Sequence, residues 1–158
     1  MKVAINGFGR IGRNFVRAVS ERNSEIEIVA INDLSPLNTS ETLLKYDSIL
    51  GVNKSIITSE ETESNEKFLY IDNKKVVYLS ERNPELLPWD ELSVDVVIEA
   101  TGIFTSREQA LLHIKAGAQK VIITAPASDP DKTVVLGVNE SSLNDDMRII
   151  SNASCTTN

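Results

Sequence analysis

The sequence predicts an α/β fold built on a doubly wound, mostly parallel sheet with a small hairpin insertion. Two observations carry that reading. Strand-like runs alternate with segments of helical period along the chain, and the first 32 residues spell out a strand, a glycine-rich turn, a helix and a second strand. At 158 residues the chain has room for one domain, long enough to bury about 70% of its unfolded surface around a single core.

Lys2-Val3-Ala4-Ile5-Asn6 reads as the first buried strand. After the turn, Ile11, Phe15, Val16 and Val19 recur at helical spacing, which places Arg13, Arg17 and Glu21 on the opposite face. Residues 27–31 supply the next strand and close a βαβ unit, whose crossover is expected to be right-handed. Residues 39–46 predict a short helix. Ile56-Ile57, residues 68–71 and residues 76–79 predict short strands, with Asp72-Asn73-Lys74 as the hairpin turn between the last two. The acidic stretch 58–66 reads as a solvated loop. A buried strand follows at 94–100, then a helix from Ser106 as N-cap to Ala116, with Gly117 past its end. Residues 121–124 and 134–136 predict two more strands. A last strand begins at Met147-Arg148-Ile149-Ile150 and ends at Ser151.

Composition narrows the function classes. Hydrophobic content of 41% with 25% charged residues belongs to an ordinary globular protein, and no apolar run approaches the roughly 20 residues of a membrane span. Twenty-three acidic against sixteen basic residues give a net charge of −7, which repels nucleic acid and anionic membrane surfaces, so neither is an expected partner. One cysteine permits no internal disulfide, and Met1-Lys2 runs straight into an apolar strand without a signal or transit segment. A reducing cytoplasm is the expected setting. No metal site is expected.

Two motifs carry chemistry. Gly7-Phe8-Gly9-Arg10-Ile11-Gly12 matches G-x-G-x-x-G directly after a strand and at the start of a helix. Gly7 permits the sharp turn, Gly9 lets a pyrophosphate approach the backbone, and Gly12 allows the helix to pack closely on the strand. Asp33 ends the second strand about twenty residues after Gly12, where a carboxylate accepts hydrogen bonds from adenosine ribose hydroxyls and repels a 2′-phosphate. The second motif is Ser151-Asn152-Ala153-Ser154-Cys155-Thr156-Thr157-Asn158. A hydroxyl-rich run after a strand suits the N-cap of a following helix, and a thiol there is favoured as the nucleophilic thiolate. An inert capping cysteine is the alternative reading of that spacing.

Both motifs, with Ile31-Asn32-Asp33, Lys45-Tyr46-Asp47-Ser48, Ser80-Glu81-Arg82-Asn83-Pro84, Glu99-Ala100-Thr101-Gly102, Ala116-Gly117-Ala118 and Gly137-Val138-Asn139, closely resemble the glyceraldehyde-3-phosphate dehydrogenase family over the whole chain. The resemblance implies a Rossmann-type dinucleotide-binding domain over 1–150 and the start of a cysteine helix over 151–158, with the family's C-terminal catalytic domain absent. It implies NAD held by the Arg10-Ile11 turn, Asp33, Arg82, Thr101, Gly102 and Thr124, with Cys155 as nucleophile and Ser154 and Thr156 beside the substrate. The implied reaction joins the Cys155 thiolate to the aldehyde carbon, passes hydride to the nicotinamide, and ends when inorganic phosphate cleaves the thioester to an acyl phosphate. Glyceraldehyde 3-phosphate and phosphate are the implied substrates and a homotetramer the implied assembly.

The family's activating histidine belongs to its second domain. The resemblance gives His113, on the predicted helix, no catalytic role, and a structural or solvent-facing histidine is the reading adopted. Leu50, in Tyr46-Asp47-Ser48-Ile49-Leu50-Gly51, and Arg13-Asn14-Phe15 look like the NADP-accepting photosynthetic branch. Leu34 offers no hydroxyl to a 2′-phosphate, so NAD stands first and NADP second. An erythrose-4-phosphate dehydrogenase fragment and a non-catalytic dinucleotide-binding module are the competing readings.

Overall fold

A computed structural model of the chain describes residues 1–22 and 24–156. Strand β1 (Lys2–Asn6) leads through the glycine turn into α1 (Arg10–Glu21), and β2 (Glu27–Asn32) returns parallel to β1. Helix α2 (Leu37–Lys45) is followed by a small hairpin, β3 (Tyr46–Asp47) and β4 (Gly51–Val52). An antiparallel meander comes next: β5 (Ile57–Glu61), β6 (Lys67–Ile71) and β7 (Lys74–Leu79). Then come β8 (Val96–Glu99), α3 (Arg107–Lys115), β9 (Lys120–Ile123), β10 (Lys132–Thr133) and β11 (Ile149–Ser151).

Among the described residues one nine-stranded sheet runs in the order β10-β11-β9-β8-β1-β2-β7-β6-β5. It is parallel from β10 to β7 and turns antiparallel only at the meander edge. Side chains alternate between its two faces. Val3 and Ile5 of β1, Ile31 of β2 and Val96 and Ile98 of β8 pack with Val16 of α1 and Leu37 and Leu44 of α2. Their neighbours Ala4, Ala30 and Val97 face the other way, onto Ala110 of α3 and the loop residue Trp89. The sheet is therefore covered on both sides, as a doubly wound fold requires. Fully buried Ile5 and Ile31 each contribute about 1.5–3 kcal/mol.

The connections from β1 to β2 through α1 and from β8 to β9 through α3 wind outward in opposite directions, so the chain reverses its winding between β1 and β8. A crevice forms at such a point, beyond the carboxyl ends of the strands. Local signals behave as expected at α3: the Ser106 side chain accepts from the Gln109 N–H, and the Gln109 side chain reaches back to the Ser106 backbone. Gly117 follows at φ +109°. Asp72 and Asn73 take φ of 49° and 65° in the tight β6–β7 turn.

Several expectations are corrected. Arg17 is 4% exposed instead of outward-facing, because its long stem lies along the core while its guanidinium donates to the carbonyls of Leu44, Lys45 and Gly51. Those of Leu44 and Lys45 lie at the carboxyl end of α2, where carbonyls lack helical partners and attract cations. Ile11 is 46% exposed at the first turn of α1 and does not join the core. The acidic stretch 58–66 is partly strand: β5 uses Thr58 to Glu61 as a polar edge paired to β6. The strand expected at 134–136 forms instead at Lys132–Thr133, where it pairs with β11. The short helix starts at Leu37, two residues early, and ends at Lys45.

Candidate functional site

A cleft of about 420 Å³ opens at the winding reversal, with Asn6, Gly7, Gly9, Asp33, Arg82 and Thr101 in its walls. Gly7 sits at φ +93°, its N–H donating to the Asn32 carbonyl at 2.8 Å. A β-carbon there would come within 2.6 Å of the Thr101 backbone nitrogen. Gly9 differs. A β-carbon on it would meet nothing within 4 Å, so the space beside it is open to a ligand. It is also the N-cap of α1 and has no side chain to cap the helix, whose first turn presents unpaired N–H groups and the positive end of its dipole. That donor set fits a dinucleotide's diphosphate.

Asp33 follows β2 directly. Its Oδ2 accepts the Phe8 N–H at 2.6 Å and its Oδ1 the Ser35 N–H at 2.8 Å, which fixes the carboxylate at the cleft edge. Each oxygen keeps lone-pair capacity for a ribose hydroxyl, whereas a phosphate would meet like charge. Arg82 is exposed at the same wall. The Arg10 side chain is turned to Asp47 at 3.1 Å, so its share in the cleft is its backbone at the head of α1. The Leu50 and Ile49 N–H groups hold the Asp47 carboxyl below the usual carboxylate range, with Arg10 and Arg17 adding to the effect against a smaller push from burial.

Thr101 donates both its N–H, at 2.9 Å, and its hydroxyl to Glu99 Oε1. Gly102 follows at φ +73°. The N–H and hydroxyl of Thr124 both donate to the Glu99 carbonyl, at 3.0 and 3.1 Å. Neither Gly102 nor Thr124 lines the cleft, and Ile11 and Gly12 lie beside it in α1.

Beyond β11 the chain makes a tight loop. The Ser151 hydroxyl donates to the Ala125 carbonyl at 2.7 Å and accepts the Ala153 N–H at 3.2 Å, and the Asn152 N–H reaches the Ile123 carbonyl at 2.9 Å. Buried Ala153 takes φ +56°, a left-handed conformation that non-glycine residues seldom adopt. Ser154, Cys155 and Thr156 follow, with the two hydroxyls 2.8 Å apart and Cys155 exposed in a turn. Thr157 and Asn158, which the sequence reading places in the cysteine helix, lie outside the described residues. Because the strands are parallel from β11 to β2, this loop lies along the same edge of the sheet as the glycine turn and Asp33.

His113 is fully buried, its ring bonded to Trp89 at 3.0 Å and to Glu99 at 2.9 Å. It is structural, and not solvent-facing. Asn6, Asn32 and Glu99 are three buried polar residues that close mostly apolar strands, Asn6 and Asn32 in the cleft wall and Glu99 behind it. A polar residue as the last member of an apolar strand is their signal in the sequence.

Comparison with known proteins decides the family. Residues 1–107 match the family model described as the NAD binding domain of glyceraldehyde 3-phosphate dehydrogenase. The chain belongs to that family. A glyceraldehyde-3-phosphate dehydrogenase 2 of Streptomyces avermitilis is 53% identical to it, aligning with all of this chain and 46% of the relative. Another from Trichormus variabilis is 51% identical over 46% of its length, and a chloroplastic glyceraldehyde-3-phosphate dehydrogenase of Arabidopsis thaliana is 52% identical over 39%. The chain thus spans less than half the length of these curated relatives. It carries the NAD-binding domain of the glyceraldehyde-3-phosphate dehydrogenase family, a Rossmann-type fold, and NAD is the cofactor of that domain. Among the described residues no helix is long and apolar enough to cross a membrane.

Proposed function

We propose that this chain is the cofactor half of a phosphorylating glyceraldehyde-3-phosphate dehydrogenase of the cytoplasm, with Cys155 as its nucleophile. The observation that supports the reading most is the shared edge: glycine turn, Asp33 and cysteine loop all stand at the carboxyl ends of one parallel sheet. Backbone N–H groups at Gly9, Arg10, Ile11 and Gly12 hold the NAD diphosphate, and Asp33 takes the adenosine ribose. Arg82, Thr101, Gly102 and Thr124 complete the cofactor's surroundings, the last two through the backbone turns they form. When bound, NAD supplies the hydride acceptor.

Cys155 sulfur bonds to the aldehyde carbon of glyceraldehyde 3-phosphate as the carbonyl opens to a hydroxyl, with Ser154 and Thr156 beside the substrate. Loss of that carbon's hydrogen as hydride to bound NAD, with release of the hydroxyl proton, gives the thioester. Inorganic phosphate later cleaves the thioester, and the sulfur is released as the acyl phosphate forms. Residues 1–150 act as the cofactor domain and 151–158 as the nucleophile segment. A homotetramer is the assembly proposed for the whole enzyme.

Among the described residues no histidine is free to act as general base for the thiol. The chain's one histidine is buried and engaged at both ring nitrogens. The chain by itself therefore binds cofactor without turnover, since proton transfer and positioning each contribute orders of magnitude to rate. Calorimetric titration with NAD and with NADP, beside an assay with glyceraldehyde 3-phosphate and phosphate, tests both halves of the proposal. The expected result is NAD binding, weaker NADP binding and no NADH. Absence of NAD binding overturns the cofactor reading, and steady NADH production overturns the need for outside groups.

A further inference from the structure

The ends of three adjacent strands carry one in-register row of polar side chains. Asn32 closes β2, Asn6 closes β1 and Glu99 closes β8, with Asn6 paired to Asn32 on one side and to Glu99 on the other. All three are buried. Asn32 Nδ2 donates to Asn6 Oδ1 at 2.7 Å, and Asn6 Nδ2 donates to Glu99 Oε2 at 2.6 Å. The Glu81 N–H feeds the outer end of the row at Asn32 Oδ1, 2.8 Å away.

A second line of donors arrives from the opposite side. The Trp89 indole N–H can only donate, so His113 Nδ1, 3.0 Å away, is the acceptor and the ring proton sits on Nε2. That Nε2–H donates to Glu99 Oε2 at 2.9 Å. Oε1 takes the N–H and hydroxyl of Thr101. Both lines of donors thus end on one carboxylate, through Asn6 on one side and His113 on the other. Burying such a network is unfavourable unless all its members are satisfied, and simple packing at a strand end is served by apolar residues. What distinguishes this network is its reach. Asn6 and Thr101 line the cleft, whereas Glu99, His113 and Trp89 do not.

We propose that Glu99, held by His113 and Trp89, is a positioning residue of the cofactor cleft: it fixes the Asn6 amide and the Thr101 turn in the arrangement that accepts NAD. The inference rests on the reading of this cleft as the NAD site. Its consequence is that cofactor and the Trp89–His113 pair sense one another through Asn6 and Glu99.

The test is a titration of the isotope-labelled chain with NAD, followed by nuclear magnetic resonance and calorimetry, in wild type, Glu99→Gln and Trp89→Phe. In the wild type the His113 proton is found on Nε2. Its resonance and that of the Trp89 indole N–H shift as NAD saturates, although neither residue lines the cleft. Glu99→Gln, which turns one accepting oxygen into an amino group facing donors, raises the Kd for NAD roughly tenfold or more. Trp89→Phe, which frees the far end of the line, raises it roughly threefold in protein that remains folded. Stationary His113 and Trp89 resonances in a wild type that binds NAD overturn the positioning role and leave the NAD reading intact, as does an unchanged Kd in folded Trp89→Phe. A wild type that does not bind NAD overturns the cleft assignment itself, and this inference with it.

Discussion

A β-carbon on Gly12 would lie 2.2 Å from the carbonyl oxygen of Gly7, a separation no folded backbone tolerates. The first turn of α1 can therefore seat against the end of β1 only while Gly12 has no side chain. Gly12→Ala is expected to destabilise the domain by about 1–3 kcal/mol through overpacking and to misplace the helix N-terminus that, on the proposed reading, receives the diphosphate. Urea unfolding and NAD calorimetry check both effects. Gly9→Ala provides the contrast, because its β-carbon meets nothing within 4 Å. Stability should fall by only about 1 kcal/mol, the difference between glycine and alanine at an N-cap, while NAD affinity drops because the methyl occupies the approach proposed for the diphosphate. Equal NAD affinity in folded Gly9→Ala would remove the diphosphate from this turn.

Asp33 answers to two backbone donors and, on the proposed reading, to the ribose as well. Asp33→Asn keeps one accepting oxygen and sets an amino group against either Phe8 N–H or Ser35 N–H. The expected loss is roughly tenfold to a hundredfold in NAD affinity, the scale of one or two hydrogen bonds to a charged acceptor. NADP affinity should fall less, since the substitution also removes the negative charge that repels a 2′-phosphate. A ratio of NAD to NADP affinity that does not narrow would show that discrimination lies elsewhere, for instance at Leu34, half-exposed in the same cleft wall.

The glycine turn, Asp33 and the alternation of strands and helices were legible because each depends on local geometry or on a period of side chains. The Asn32–Asn6–Glu99 row was not, since it exists only through the registers of β1 with β2 and β8, and a single strand does not reveal its partners. Arg17 was misread for a related reason. Periodicity assigns a face to the Cβ, while a guanidinium several bonds away goes to whatever carbonyls the tertiary fold delivers. Only the start of β5, at Ile57, was legible, because an edge tolerates charge on both faces and its acidic residues resemble a loop.

Arg17 is a distinct test of how the cleft-side helix is anchored. One of its three guanidinium nitrogens, Nη2, donates at 2.9 Å to Leu44, 3.3 Å to Lys45 and 3.1 Å to Gly51, tying α1 to the end of α2 and to the β3–β4 hairpin. Arg17→Met keeps the apolar stem and removes the donors. The expected cost is about 1–3 kcal/mol from the lost charged donor, since Asn53 alone then serves the Leu44 and Lys45 carbonyls, with faster amide exchange in residues 46–52. Unchanged exchange in that segment would show the hairpin to be held by its own pairing.

Asp131 joins α3 to β11 and contributes to the acid sensitivity of the fold. Burial pushes its carboxyl up, but the Ile149 N–H, the Arg107 guanidinium and the Arg148 N–H together outweigh that and hold it below the usual value. Glu41 is lowered in the same sense, by Lys45 and then Ser59. A group depressed in the folded state adds stability above its unfolded value, about 4 for a carboxylate, and that stability is lost as pH falls through the folded value. The urea midpoint should therefore decline below about pH 4. In Asp131→Asn the neutral-pH midpoint is expected to be lower and the acid decline shallower, since the variant has no proton to take up at this position. Parallel declines in the two proteins would assign the acid sensitivity to other carboxylates. A steeper decline in wild type would place it at the clamp that carries β11, and with it the Cys155 loop, against the rest of the sheet.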